Sequence, residues 1–142
     1  MADRTANVTW TGSLMEGSGT IQSVDSGAFG PLDVSWAART EDHEGLTSPE
    51  ELIAAAHAAC FSMALSNGLA QAGSPPERLE TSATVTFVPG TGITKSALTV
   101  RGSVPGMDEA AFVEAAEGAK VNCPVSKALA SVPEITLDAA LS

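Results

Sequence analysis

The sequence has few aromatic residues and no tyrosine. Of its 142 residues, 44% are hydrophobic but only 4% are aromatic. A chain of this length is enough for one domain with a modest core. We therefore expect a single domain over residues 1–142, with a core built from tightly packed Ala, Val, Leu and Ile.

Positive charge is also scarce. Seven Lys and Arg residues stand against 17 Asp and Glu residues, which gives a formal net charge of -10 at pH 7. The few cations are scattered and form no basic cluster. Because nucleic acids and anionic membranes attract basic surfaces, we expect neither of them as a partner.

Targeting signals are missing as well. The first five residues, MADRT, lack the basic and apolar regions of a signal peptide. No uninterrupted run reaches the ~18 apolar residues that suggest a membrane span. Two cysteines without a secretion signal indicate reduced thiols. These absences predict a cytoplasmic protein.

Several common catalytic signatures are absent. Cys60 and Cys123 lie too far apart to form a CxxC motif or a zinc ligand set. Neither His43 nor His57 has a partner at metal-ligand spacing, so we expect no metal. The chain also lacks a Gly-rich phosphate loop and a recognisable Ser-His-Asp order.

What the sequence does contain is one long apolar helix, predicted over residues 47–73. Ser48 can cap it, and Glu51 follows at the spacing of a capping box. Residues 52–65 carry no charge and are apolar nearly all round, which predicts a helix buried on most sides. Gly73, followed closely by two prolines, ends it.

Alternating apolar and polar residues predict strands on both sides of this helix. The expected strands cover residues 6–12, 20–24, 32–40, 79–88, 93–104 and 133–141. The turn residues PGTG at 89–92 predict that strands 79–88 and 93–104 form a hairpin. Asp108 can cap a helix that runs to about residue 119, and Pro124 can begin a second, short helix. The order β-β-β-α-β-β-α-α-β indicates an α+β fold with largely antiparallel strands.

The two cysteines are the first candidates for chemistry. Cys60 lies within the apolar helix, where a thiol often serves only as a small buried side chain. Cys123 precedes Pro124 at a helix N-terminus, where unpaired N–H groups and the helix dipole lower a thiol pKa. Alternatively, Cys123 only caps the helix. From local physics alone, Cys123 is the more acidic thiol.

Three other residues are candidates, each with a structural alternative. Arg39 is a lone cation near the end of an apolar strand, where a solvated side chain is the common case. Glu50 lies in the first helical turn, where stabilisation by the helix dipole suffices to explain it. His57 is a lone histidine in an apolar helix and more often a satisfied core residue.

Five segments together resemble the family of osmotically inducible protein C and organic hydroperoxide resistance proteins (OsmC/Ohr), on its OsmC branch. They are WTG at 10–12, TSPEEL at 47–52, AAAHAACFSMAL at 54–65, NCPVS at 122–126 and PEITL at 133–137. The resemblance covers essentially the whole chain. It implies a peroxidase for organic hydroperoxides without metal, flavin or other cofactor. It also implies an intertwined homodimer with active sites at the subunit interface.

The resemblance also implies a role for each candidate. Cys60 resembles the peroxide-attacking thiolate and Cys123 the resolving thiol, while Arg39 and Glu50 resemble the pair that orients and activates Cys60. In that pair Glu50 is expected to fix the guanidinium plane of Arg39 by a bidentate contact. Attack implies a sulfenic acid on Cys60, then a disulfide with Cys123, then reduction by an external dithiol. Although its local setting makes Cys123 the more acidic thiol, a nearby arginine can stabilise the thiolate of Cys60. The apolar neighbours Leu52, Ile53, Phe61 and Met63 suit organic hydroperoxides better than hydrogen peroxide.

The spacing of Glu50 and Cys60 raises a geometric question. They are ten residues apart, about 15 Å along a straight helix, which a glutamate side chain cannot span. Either Arg39 bridges the gap, or Glu50 comes from the partner subunit. We favour the partner, which also accounts for a helix too apolar for a monomer.

Two other functions remain open. The chain can be a non-catalytic member that binds apolar or acyl ligands, with both thiols as packing residues. It can also be a hot-dog-like thioesterase, which needs a carboxylate base and no cysteines. The joint presence of Cys60, Cys123, Arg39 and Glu50 favours the peroxidase.

Overall fold

The computed structural model describes residues 1–142, and its contacts divide them into two units, Met1–Leu52 and Ile53–Ser142. The expected order of strands and long helices is present. The boundary falls just inside the long helix. The single domain expected over residues 1–142 stays a prediction.

The first unit contains an antiparallel sheet of three strands in the order β1-β2-β3. The strands are β1 (Ala6–Thr11), β2 (Ser18–Val24) and β3 (Leu32–Val34). The strand predicted over 32–40 is wrong beyond Val34, because a short helix, α1 (Trp36–Thr40), follows it. The hydroxyl of Ser35 accepts the Ala38 N–H at 3.1 Å and caps this helix, which the alternating apolar pattern concealed.

The long helix, α2 (Pro49–Gln71), begins and ends as its sequence predicts. The hydroxyl of Ser48 accepts the Glu51 N–H at 3.2 Å. The Glu51 carboxylate accepts from the Thr47 hydroxyl instead, so only half of the capping box forms. At the other end Gly73 has a φ of 85°, and the Ser74 N–H donates to the Leu69 carbonyl at 2.9 Å. Such a left-handed glycine satisfies the last carbonyls of a helix.

The second unit contains a mixed sheet with β5 in the middle. Its strands are β4 (Arg78–Val88), β5 (Gly92–Ser103) and β6 (Glu134–Leu141). The predicted hairpin of β4 and β5 is confirmed. The strands are largely antiparallel, as expected, and the exception is β6, which pairs with β5 in parallel. Helices α3 (Glu109–Asn122) and α4 (Pro124–Ala128) connect β5 to β6 and supply the crossover that a parallel pair requires.

The core of the second unit lies between one face of α2, the strand β5 and helix α3. Phe61, Leu65 and Leu69 of α2 are buried there with Leu98 and Phe112. Two of the four phenylalanines are therefore at the centre of a core expected to be aliphatic. A protein with few aromatic residues still places them where they bury the most area.

The other face of α2 is open in the single chain. Met63 is 74% exposed, and Ala56 and Ala59 are exposed as well. The expectation of a helix buried on most sides is therefore wrong for one chain, which covers only one helix face. By length and composition α2 is also apolar enough to cross a membrane, and the core helices of soluble proteins often meet the same criterion. Polar residues interrupt the apolar sequence of α2, which is why no uninterrupted apolar run indicated a membrane span.

Candidate active site

Arg39 and Glu50 form a two-pronged ion pair in the first unit. Arg39 Nε lies 3.0 and 3.1 Å from the two carboxylate oxygens of Glu50, and Arg39 Nη2 lies 2.7 Å from Oε1. The Glu50 side chain is only 8% exposed and that of Arg39 29%. This fork geometry fixes the plane of the guanidinium. The bidentate contact expected between these residues is confirmed.

A small apolar depression adjoins the guanidinium of Arg39. It has a volume of about 170 Å³ and is lined by Trp10, Leu14 and Trp36. The Arg39 guanidinium carbon lies 5.9 Å from the centre of the Trp36 ring, a cation–π distance. Arg39 lies in the last turn of α1 and not on a strand, so the cap at Ser35 helps to set its position.

Cys60 and Cys123 meet in the second unit. Both thiols are free; Cys60 is half-buried and Cys123 is buried. Cys60 packs against the buried cluster that contains Cys123, and each thiol shifts the pKa of the other. Helix α2 supplies Cys60, and the turn between α3 and α4 supplies Cys123. The sequence placed these thiols 63 residues apart, and the fold brings them into contact.

The thiol of Cys60 borders an open groove of about 670 Å³, here called the Cys60 groove. Its lining combines apolar side chains with three amides: Met63, Ala64, Ala115, Ala119, Pro124, Asn67, Gln71 and Asn122. A small molecule with an apolar tail can therefore reach Cys60 from solvent. Of the apolar neighbours considered from the sequence, Met63 lines this groove, whereas Phe61 is buried in the core.

The two thiols differ in acidity. Burial raises the pKa of Cys60, and its hydrogen bond with Cys123 raises it further. Burial also raises the pKa of Cys123, but hydrogen bonds from Cys60, Ser126 and the Val125 backbone outweigh this and lower it. The Cys123 sulfur makes no regular cap bond with α4, yet these donors lie near enough to stabilise its thiolate. In the single chain Cys123 is therefore the more acidic of the two thiols, as local physics predicts.

His57 is a satisfied core histidine, as its setting in the apolar helix indicates. Its side chain is fully buried, and both ring nitrogens have partners: Ser96 at 2.7 Å and Ser126 at 2.8 Å. Burial lowers the pKa of His57. No local sequence pattern points to these two serines, because they lie 39 and 69 residues away along the chain.

The fold therefore gathers the four predicted site residues into two pairs. Arg39 with Glu50 belongs to the first unit, and Cys60 with Cys123 belongs to the second. No group of three or more His, Cys, Asp or Glu side chains is placed to hold a metal ion. Two thiols in contact can close a disulfide, and a fixed guanidinium can hold an anion or a polar oxygen.

The chain resembles known proteins in sequence along nearly its whole length. A family model described as OsmC-like protein matches residues 41–138. The protein named Peroxiredoxin OsmC from Escherichia coli (strain K12) is 45% identical over 132 residues, which cover 91% of this chain and 90% of the relative. Peroxiredoxin OsmC from Shigella flexneri matches equally well.

Solved structures show the same fold. An organic hydroperoxide resistance protein from Elizabethkingia anophelis has a TM-score of 0.72 at 23% identity, with 97% of this chain and 96% of that chain covered. The organic hydroperoxide resistance protein OhrB of Bacillus subtilis has a TM-score of 0.64 at 26% identity, with 97% and 98% covered. With the family model and the two relatives at 45% identity, these matches show that the chain belongs to the OsmC family.

Proposed function

We propose that this protein is a thiol-dependent peroxidase that reduces organic hydroperoxides to alcohols. One observation carries the proposal: two reduced thiols in contact, one of which borders a groove open to solvent. The names of the relatives, Peroxiredoxin OsmC and organic hydroperoxide resistance protein, support the same activity.

The proposed reaction begins at Cys60. Its thiolate attacks one peroxide oxygen, the O–O bond breaks, and the alkoxide leaves as an alcohol after taking up a proton. Cys60 is oxidised to a sulfenic acid. The mixed lining of the Cys60 groove, apolar with a few amides, fits an alkyl or aryl hydroperoxide better than hydrogen peroxide.

Resolution and recycling follow from the contact between the thiols. Cys123 attacks the sulfenic sulfur, the S–O bond breaks, and hydroxide leaves as a Cys60–Cys123 disulfide forms. An external dithiol then reduces this disulfide by exchange. No metal or organic cofactor takes part in this scheme, because the dithiol supplies both electrons.

Arg39 and Glu50 have the task of directing the attack to Cys60. In the single chain the pKa of Cys60 is raised and that of Cys123 is lowered, so Cys123 ionises more readily. A guanidinium close to Cys60 stabilises its thiolate and donates to the departing oxygen. We propose that Arg39, held by Glu50, supplies this cation and so exchanges the order of the two thiol pKa values.

The proposed assembly is a homodimer with an active site at the subunit interface. Large apolar side chains are exposed in the first unit, among them Val8 (61%) and Met15 (70%), and Met63 is exposed on α2. Such apolar patches are typical of protein interfaces. Because Glu50 and Cys60 are about 15 Å apart along α2, we further propose that each site takes Arg39 and Glu50 from the partner.

The proposed location is the cytoplasm, where thiols stay reduced and a dithiol is available. With a net charge of -10, the protein is expected to bind neither nucleic acid nor anionic membrane.

The test compares wild type, Cys60→Ser and Cys123→Ser in the consumption of cumene hydroperoxide and hydrogen peroxide with a dithiol reductant. We expect rapid turnover of the organic peroxide by wild type and none by Cys60→Ser. Cys123→Ser should consume one equivalent and accumulate the sulfenic acid. If folded, reduced wild type is as inactive as Cys60→Ser, the peroxidase assignment is wrong, and the groove is then better tested as an apolar ligand site.

A further inference from the structure

A buried line of polar side chains leads from the middle of the second sheet to the resolving thiol. It begins at Ser96 on β5, passes through His57 on α2 and ends at Ser126 on α4. Ser96 and His57 are fully buried and Ser126 is 6% exposed. The proposed peroxidase chemistry uses none of these three residues, although buried polar groups are costly unless they are paired.

The hydroxyl of Ser126 has a second neighbour. Ser126 lies three residues after Cys123 in the first turn of α4, and its hydroxyl is among the groups that lower the pKa of the Cys123 thiol. The same hydroxyl is 2.8 Å from His57 Nε2. A hydroxyl has one hydrogen, so it can donate to the Cys123 sulfur or to His57 Nε2, but not to both at a time. Which atom receives the hydrogen depends on the imidazole.

The imidazole of His57 also has one ring proton when neutral, and its burial lowers the pKa of His57 and favours that neutral form. If the proton is on Nε2, His57 donates to Ser126, and the Ser126 hydroxyl is free to donate to Cys123. Ser96 then donates to Nδ1 over 2.7 Å. The other tautomer draws the Ser126 hydrogen onto Nε2 and leaves the sulfur without this donor.

We propose that His57 and Ser96 are positioning residues for Cys123: together they hold the Nε2–H tautomer, which turns the Ser126 hydroxyl so that its hydrogen points at the Cys123 sulfur. The result is a line of three aligned donors, Ser96 to His57, His57 to Ser126 and Ser126 to Cys123. The proposal rests on the proposed function, in which Cys123 resolves the sulfenic acid.

The step that benefits is disulfide formation. Cys123 loses its proton to solvent and attacks the sulfur of the Cys60 sulfenic acid. The S–S bond forms, the S–O bond breaks, and the leaving hydroxide takes up the proton that Cys123 released, which gives water. Once Cys60 is oxidised, it no longer supplies the thiol hydrogen bond that helps to stabilise the Cys123 thiolate. Ser126 keeps its donor through this change, so the network matters most in the resolving step.

Few charges bear on this line of residues. Within the single chain the titratable group facing Cys123 is Cys60, and no Asp, Glu, Lys or Arg contributes to the pKa shifts of Cys123 or His57. The Arg39–Glu50 pair proposed to act at Cys60 is the same in every variant compared below. A change in the pH profile of resolution can therefore be assigned to the hydroxyl and imidazole themselves.

The experiment separates attack from resolution in single turnovers. Reduced protein is mixed with one equivalent of cumene hydroperoxide between pH 5.5 and 9. Loss of peroxide reports attack at Cys60, and quenching with a sulfenic-acid probe followed by intact mass spectrometry reports conversion to the disulfide. The variants are Ser126→Ala, Ser126→Thr, which keeps the hydroxyl, and His57→Gln. Ser62→Ala is the matched control, because Ser62 lies on α2 but bonds Ala58 and Thr81.

We expect Ser126→Ala to slow disulfide formation by about tenfold, the usual effect of one hydrogen bond to a charged group, and to shift its pH profile upward. Attack should stay within about twofold of wild type. Ser126→Thr should restore both the rate and the profile. His57→Gln, whose amide can turn either way, should give an intermediate loss, and Ser62→Ala none. A purely structural role would slow attack equally or leave the pH profile unmoved.

Two outcomes separate the inference from the function on which it rests. If wild type does not react with the peroxide, the peroxidase proposal fails. If wild type turns over while folded Ser126→Ala and His57→Gln both resolve at its rate and pH profile, only the positioning role is overturned.

Discussion

At the residue scale, Arg39 and Glu50 form a pair whose members differ in exposure. The carboxylate of Glu50 is almost fully buried, whereas Arg39 is partly open to solvent. Removing the cation should therefore leave a buried charge without its partner, which costs more than the lost attraction alone. The pair serves folding as well as the proposed chemistry.

We expect Arg39→Ala to lower the free energy of unfolding by about 2 kcal/mol, measured in urea. The double variant Arg39→Ala/Glu50→Gln should recover part of this loss, because it removes the stranded charge. Arg78→Ala is the control, since Arg78 and Glu80 are both exposed, and its effect should stay below about 1 kcal/mol. Equal losses in the single and double variants would contradict the explanation.

The burial of His57 should make the free energy of unfolding depend on pH. Burial lowers its pKa from the ordinary value of 6.5, so below that pH the unfolded chain binds a proton that the folded chain does not. The free energy of unfolding should therefore fall as pH decreases from about 7 to 5.5, by at most about 1.4 kcal/mol per pH unit. His57→Gln should lose this contribution, and His43→Gln, on an exposed loop, should keep it. A wild-type stability that stays flat over this range refutes the prediction.

The candidate residues were predictable from the sequence to very different degrees. The capping pattern at Ser48 and the family motifs around Cys60 and Cys123 are local, so they were visible in the chain. The partners of His57 were not, because Ser96 and Ser126 reach it only through folding. A serine on a strand gives no sign that it will face a buried histidine.

At the scale of elements, local sequence patterns predicted the helices better than they predicted which strands pair and in which direction. Asp108 caps α3 and the turn at Gly90 closes the hairpin, as expected. The short helix α1 was missed because its five residues alternate as in a strand. The side-chain cap at Ser35 favours a helix over a continuing strand at this point. The parallel pairing of β6 was missed because pairing direction depends on the crossover through α3 and α4, which alternation does not encode.

The contact between β5 and α3 gives a prediction about packing. A Cβ at Gly102 would lie 2.5 Å from two ring atoms of Phe112, which is buried in the core. We expect Gly102→Ala to destabilise the protein by about 1–3 kcal/mol through overpacking. Gly118→Ala on α3, which meets open space, is the control and should stabilise by about 0.4–1 kcal/mol. Thermal unfolding of both variants tests this, and an unchanged Gly102→Ala would show that the ring moves freely.

At the scale of the whole molecule, the open face of α2 and the exposed apolar side chains of the first unit favour the proposed homodimer. The single chain covers Phe61, Leu65 and Leu69 but leaves Met63 74% exposed. The open face of α2 carries neither a basic nor an acidic cluster that would attract a charged partner. A second copy of the chain can cover it with the same apolar surface, as in a two-fold dimer. It also resolves the spacing of Glu50 and Cys60 if the two residues that share a site come from different chains.

Mixed dimers test this arrangement directly. Chains with two different tags are co-expressed, and dimers carrying both tags are purified. One mixed dimer joins a Cys60→Ser chain to a Glu50→Gln chain; the other joins a Cys60→Ser/Glu50→Gln chain to wild type. The mutations are the same in number and kind, and only their distribution differs. The Glu50→Gln homodimer must first be shown to have low peroxidase activity.

If Glu50 acts across the interface, the first mixed dimer contains one site with intact Cys60 and intact Glu50, and should show about half of the wild-type rate. The second should be nearly inactive, since its only intact Cys60 faces the altered Glu50. If Glu50 acts on the Cys60 of its own chain, the two results exchange places. The comparison therefore assigns the Arg39–Glu50 pair to one chain or the other, because folding and dimer formation are matched between the two samples.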